Sequence, residues 1–127
     1  MDRAFLVLAS VFGSLGVGLG AFGSHGLSAR LSPERLGTFE TGVRYQLWHA
    51  LALFAVVFLR TIGPDTVSES AAGVLFVLGI LLFSGSLYML AVTGERRWGA
   101  VVPFGGLCLL AGWLALVYAS ATAAFRF

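Results

Sequence analysis

Four stretches of this 127-residue chain are apolar for long enough to cross a bilayer, and short charged clusters separate them. The first runs from Ala4 to Ser24, 21 residues without a charge. As a helix it rises about 31 Å, the thickness of a bilayer's hydrocarbon core. The second covers about 45–62 if Arg60 snorkels to the surface, the third 71–92 and the fourth 100–125. A cleaved signal peptide is the alternative for the first run, with Arg3 before it and small residues near Gly23 and Ser24. The run exceeds the ~7 to 15 residues of a signal core, which favours a span. A soluble domain is about half apolar and about a quarter charged. Here 58% of residues are apolar, 11% are charged and the mean hydropathy is +0.93, which excludes one. The predicted fold class is all-α: an integral membrane four-helix bundle forming one domain over 1–127.

Four crossings put both termini on one side, and arginine placement orients them, because positive residues are retained in the cytoplasm. The chain has no lysine. Arg30, Arg35, Arg44, Arg96 and Arg97 lie on the side of the first and third connections, against Arg3, Arg60 and Arg126 on the other. Five against three predicts termini on the non-cytoplasmic side. The net charge of +2 calls for no nucleic-acid partner. The single cysteine, Cys108, falls within the fourth span, so there is no intramolecular disulfide and no CxxC motif. It reads as a small buried apolar residue.

The connection 26–44 is the long one and has structure of its own. Ser32, Pro33 and Glu34 are an N-cap, a proline at the first helical position and a first-turn acid. Leu36, Phe39, Val43 and Leu47 then recur at spacings of three and four, which predicts an amphipathic interfacial helix running into span two. Gly37 and Gly42 weaken it, and a bend is expected near Gly42. The connections 63–70 and 93–99 are short and force antiparallel neighbours.

Helices in lipid associate through close packing and polar contacts, which selects small residues at contact faces. Gly16, Gly20 and Ser24 form one such row and Ala111, Ala115, Ala119 and Ala123 another. Pro103, followed by Phe104, Gly105 and Gly106, is expected to break or kink the start of span four. Gly13-Ser14-Leu15 matches Gly85-Ser86-Leu87, but the connections that follow differ too much in length to establish a repeat.

No carboxylate, lysine or arginine falls near a span centre, which argues against an ion-coupled transporter, a proton pump or an intramembrane carboxylate enzyme. The two histidines are the exceptions among ionisable residues. His25 ends span one, and His49 follows Arg44 by five residues, so both are expected toward one membrane face. With Arg44, Tyr45, Gln46, Ser86 and Tyr88 they form the candidate polar cluster. Three readings stay open. The imidazoles can tie span one to span two by hydrogen bonds, or form with Arg44, Tyr45 and Trp48 a pocket for a lipid headgroup or small molecule. Two histidines can also supply both axial ligands of a haem, although a lone pair lacks the further ligands of a metal site. Ser24 beside His25 does not supply a nucleophile with a positioned base. No catalytic residue, metal set or cofactor is assigned, and the chain reads as non-enzymatic. Ser84, Ser86 and Tyr88 read as interhelical glue, and Trp48, Trp98 and Trp113 as anchors or packing.

The segment Gly20-Ala21-Phe22-Gly23-Ser24-His25-Gly26-Leu27 resembles the signature of domain-of-unknown-function family 423, the small YgdD-like inner-membrane proteins related to transmembrane protein 256. Tyr45-Gln46 with His49-Ala50-Leu51-Ala52-Leu53 resembles its second motif and Leu82 to Tyr88 its third. Pro103-Phe104-Gly105-Gly106 with Gly112-Trp113 resembles its fourth. Ser24 and Phe104 depart from the common alanine and isoleucine, so neither side chain is given an essential role. The resemblance implies a four-helix protein of the bacterial inner membrane and supplies no activity. The leading expectation is a protein that binds a membrane lipid or a protein partner, with a homo-oligomer as the favoured assembly and no identified small-molecule substrate. The alternatives are a channel or carrier for a small solute, lined by His25, Gln46, His49, Ser86 and Tyr88, and a haem-binding redox subunit.

Overall fold

A computed structural model describes residues 1–64 and 66–124 of the chain. Its elements are α1 (Asp2–His25), a 3-10 turn (Leu27–Ala29), α2 (Pro33–Ile62), α3 (Val67–Gly79), a π-helical segment (Ile80–Ser84), α4 (Gly85–Thr93) and α5 (Arg97–Thr122). The π segment joins α3 and α4 into one rod, leaving four helical rods long and apolar enough to cross a membrane. The end of the span predicted to reach Phe125, and the arginine counted at Arg126, lie outside the described residues.

The amphipathic segment is the first part of α2. Ser32 caps it by accepting a hydrogen bond from the Arg35 amide at 3.3 Å, Pro33 occupies the first helical position, and the helix continues unbroken to Ile62. The bend expected at Gly42 does not interrupt it. A Cβ there would lie 2.7 Å from the Tyr88 ring and 3.3 Å from the Ser84 carbonyl oxygen, so this glycine serves close approach. The stripe Leu36, Phe39, Val43 and Leu47 packs inward with Leu27, Ala91 and Tyr88. Pro103 does not break α5 either. The carbonyl it leaves unserved, four residues back at Gly99, belongs to the first turn, near the helix end.

Glycine sets the closest helix contacts. α1 buries Phe5, Ala9, Phe12 and Gly16 against its neighbours at spacings of three and four, and Gly23 two turns further on. A Cβ at Gly16 would lie 2.6 Å from Leu47 and one at Gly23 would lie 3.2 Å from Phe39. Ser24, the last member of the predicted row, is exposed. On α5 the contact row is Gly105, Leu109, Gly112, Leu116 and Ala119; of the predicted alanine row, only Ala119 is buried. The reason is distance. A Cβ on Gly105 would lie 2.7 Å from the Leu82 carbonyl carbon, and one on Gly112 would lie 2.7 Å from the Phe76 ring. No alanine fits that approach. α1 packs along α2, and α5 along α3 and the π segment, whereas α2 and α5 do not pack closely along their length.

Each end of the bundle has a polar clasp. At one, Arg35 donates from Nε to the Ala91 carbonyl and from Nη2 to the Val92 carbonyl, each at 2.7 Å. It thereby closes the end of α4, where Gly94 takes the left-handed conformation at φ 71°. At the other, Arg60 does not snorkel outward: its side chain is 6% exposed, paired with Asp2 and donating to Ser70. Glu69 beside it is fully buried in the first turn of α3, with one oxygen accepting from the Thr66 hydroxyl and the other without a hydrogen-bond partner among the described residues. The sequence Thr66-x-x-Glu69 is a helix-start signature that the reading of 63–70 as a plain connection passed over.

Candidate functional site

Two of the buried polar side chains, Gln46 and His49, each centre a network within the bundle. In the first, the Gln46 amide donates to the Phe12 carbonyl at 2.8 Å and the Tyr88 hydroxyl donates to Gln46 Oε1 at 2.7 Å, joining α1, α2 and α4. Next to it, the Ser84 hydroxyl donates to the Gly42 carbonyl at 2.7 Å, across the glycine that lets α2 approach the π segment.

The second network joins α2 to α5. Indole Nε1–H of Trp113 lies 3.0 Å from His49 Nε2, and His49 Nδ1 lies 2.7 Å from the Tyr45 carbonyl oxygen. An indole nitrogen only donates and a carbonyl only accepts, so the ring is neutral with its proton on Nδ1. Rings enclose it: Phe76 at 5.5 Å, Tyr45 stacked at 5.9 Å and Trp113 edge-on at 6.0 Å between centroids.

Both networks sit at mid-height. His49 is sixteen residues from Pro33 and thirteen from Ile62, and Phe12 is ten from Asp2 and thirteen from His25. The sequence places Gln46 and His49 near an interface because it starts span two at Tyr45. In the structure the predicted interfacial segment from Pro33 onward is part of the same unbroken rod, which sets both residues well inside it.

The rest of the predicted cluster does not gather around them. His25 is exposed at the end of α1, and among the described residues no hydrogen bond or ring contact joins it to His49. The two therefore form no common ligand set, and no group of three metal-ligating side chains occurs among the described residues. Arg44 is exposed and donates to the Thr41 hydroxyl at 3.2 Å. Ser86 is buried on α4, outside both networks.

The open seam between α2 and α5 forms a lateral trough. Its upper compartment, about 400 Å³, is lined by Tyr45, Trp48 and His49 on one side and Gly106, Leu110 and Trp113 on the other. Below Trp113, which borders both, a second compartment of about 580 Å³ is lined by Ala55, Leu59, Leu116, Val117, Ser120 and Ala121. Sequence reasoning missed this trough, since it depends on which two helices diverge. One signal was present: Trp113 lies far from the charged clusters, where a belt anchor has no interface to occupy.

A family model described as "Protein of unknown function (DUF423)" matches residues 19–106, which include Gln46, His49, Ser84, Tyr88 and Gly105. The chain is 42% identical over 118 residues to the UPF0382 membrane protein YwdK of Bacillus subtilis, covering 93% of the chain and 96% of that protein. It is 41% identical over 115 residues to the UPF0382 membrane protein SH2409 of Staphylococcus haemolyticus, covering 91% and 93%. Similarity to the UPF0382 inner membrane protein YgdD of Escherichia coli K12 is 41% over 114 residues, covering 88% and 85%. No solved structure matches the chain.

Proposed function

The chain belongs to the DUF423 family, whose named relatives are membrane proteins, and from that premise we propose that it is a lipid-binding membrane protein whose site is the α2/α5 trough. The observation that carries this reading is the contrast between seams. Glycine closes α1 onto α2 and α5 onto the π segment, while α2 and α5 stay apart along an apolar groove. The volumes fall within the ~300 to 1,000 Å³ of small-molecule sites. In hydrocarbon the molecules available to fill such a groove are lipids.

The polar groups favour this over a solute path. Gln46, Ser84 and Tyr88 hydrogen-bond one another or backbone carbonyls, so their polar atoms are committed to packing. Both nitrogens of His49 are engaged and His25 lies elsewhere, which removes the support for a bis-histidine haem.

Native mass spectrometry of protein released from mild detergent tests the proposal. The wild type should retain lipid adducts, and Gly106→Leu should lose them, because Gly106 lines the trough and a Cβ there meets only the Phe83 ring, at 3.7 Å. Leu110→Trp should act the same way. Adducts of unchanged identity and abundance in both folded variants would overturn the reading.

A further inference from the structure

The arginines of this chain divide by what holds them. Arg35 is committed to the Ala91 and Val92 carbonyls, and Arg60 to Asp2 and Ser70. Arg96 and Arg97, at the start of α5, are held far less. Both are exposed; the Arg96 side chain meets no acceptor among the described residues, and Arg97 engages only Nε, on Glu95. A guanidinium carries five N–H donors, so most of the donors of this pair stay available to an anion.

Beside them is a cavity of about 410 Å³ lined by Arg97, Trp98 and Val101, none of which lines the α2/α5 trough. The Arg97 guanidinium lies over the Trp98 ring, 5.7 Å from its centroid, in a cation–π placement. The Trp98 indole N–H is buried without an acceptor among the described residues. Buried donors are ordinarily bonded, so this one points to an acceptor from outside the chain. Val101 lies three residues further along the helix, about 4.5 Å deeper, so the lining passes from cationic to apolar within one turn.

That order of chemistry, at the depth where a span meets the surface, is the profile of a phospholipid. Phosphate oxygens accept from guanidinium groups and from an indole N–H, while acyl chains suit the valine below. A free inorganic anion would leave the apolar part of the lining unused. A zwitterionic headgroup brings its own cation against the arginines, which an anionic one does not.

We propose that Arg96, Arg97 and Trp98 bind the headgroup of an anionic phospholipid, with its phosphate on the arginines and its acyl chains descending past Val101. The site is separate from the trough and does not rest on it.

Native mass spectrometry with lipids of identical tails isolates the headgroup. Titrated into delipidated protein in mild detergent, dioleoyl-phosphatidylglycerol should bind more tightly than dioleoyl-phosphatidylcholine. Lipid held in the trough by its tails adds equally to both and does not create the preference. Arg96→Gln and Arg97→Gln should each reduce the preference about fivefold, the contribution of one interfacial arginine. Trp98→Phe keeps a ring, loses the N–H and should reduce it about two- to tenfold. Arg30→Gln removes the same charge from the first connection at the same end of the bundle and should leave the preference as it is. A wild type without the preference overturns the site, as does an equal loss in Arg30→Gln and Arg97→Gln, which would mean diffuse attraction by the whole arginine-rich end. Displacement of phosphatidylglycerol by inorganic phosphate at equal concentration overturns the phospholipid assignment.

Discussion

Gly105 and Gly18 are the same residue in helices of one bundle and do opposite things. A Cβ on Gly105 would meet the backbone of Leu82 and Phe83, whereas one on Gly18 meets nothing within 4 Å. Gly105→Ala must therefore force α5 away from the π segment, at about 1 to 3 kcal/mol, the usual cost of overpacking. Gly18→Ala should be neutral or stabilising by up to about 1 kcal/mol, from helix propensity. Thermal unfolding in detergent checks both, and equal melting temperatures would refute the packing argument. Tyr88→Phe leaves Gln46 Oε1 without its donor and should cost about 0.6 to 2 kcal/mol in the same assay. A Tyr88→Phe protein as stable as the wild type would mean that Gln46 is held by Phe12 alone. At this scale the sequence identifies Gln46, His49, Ser84 and Tyr88 as polar residues within spans, but their partners, Phe12, Trp113 and Gly42, lie 34 to 64 residues away and only packing selects them.

Among the elements, α2 is the best marked in sequence and the π segment the least. The Ser32-Pro33 start and the stripe from Leu36 to Leu47 are local signals, and both persist in the helix that forms. The π turn at Ile80–Ser84 has no such signal. It lies where Gly42 on one side and Gly105 on the other bring neighbouring backbones against span three, so its setting is tertiary. The Arg35 clasp is likewise invisible locally, since it reaches carbonyls 56 and 57 residues away. Replacing Arg35 by leucine should loosen the α4 end first. Hydrogen exchange at amides 93–99 should quicken while the middle of α1 stays protected. Uniform acceleration across the chain would show that the clasp secures the whole bundle and not one connection.

Across the whole molecule, the ends of the bundle differ in charge. The end formed by the first and third connections carries Arg30, Arg35, Arg96 and Arg97, with Arg44 nearby, while the other end carries Arg3 and Arg60, the latter paired with Asp2 inside the bundle. By the retention of positive charge, the arginine-rich end is expected to face the cytoplasm. A Ser28→Cys reporter in a Cys108→Ser background tests this: a membrane-impermeant maleimide should leave it unlabelled in intact spheroplasts and label it after lysis. Labelling before lysis would reverse the orientation. Glu69 shows the limit of reading burial from sequence at this scale. It sits in a charged connection yet is fully buried, because Arg60, Ser70 and Thr66 close the bundle end around it.

Legible in the sequence alone were the four apolar rods, their alternating direction, the capped start of α2 and, of the predicted row on α1, the buried contact at Gly16. Each follows from length, spacing or composition, which act within a single segment. Packing between distant segments set Gly105 and Gly112, with Ala119 alone of the predicted alanines, at the α5 contact, and set His49 against Trp113 and not His25. It also left α2 and α5 apart along a lateral trough. Those outcomes depend on which helix faces approach which, and in a bilayer, where every outward face is equally apolar, hydropathy does not rank the alternatives. Close packing and hydrogen bonding between distant residues do.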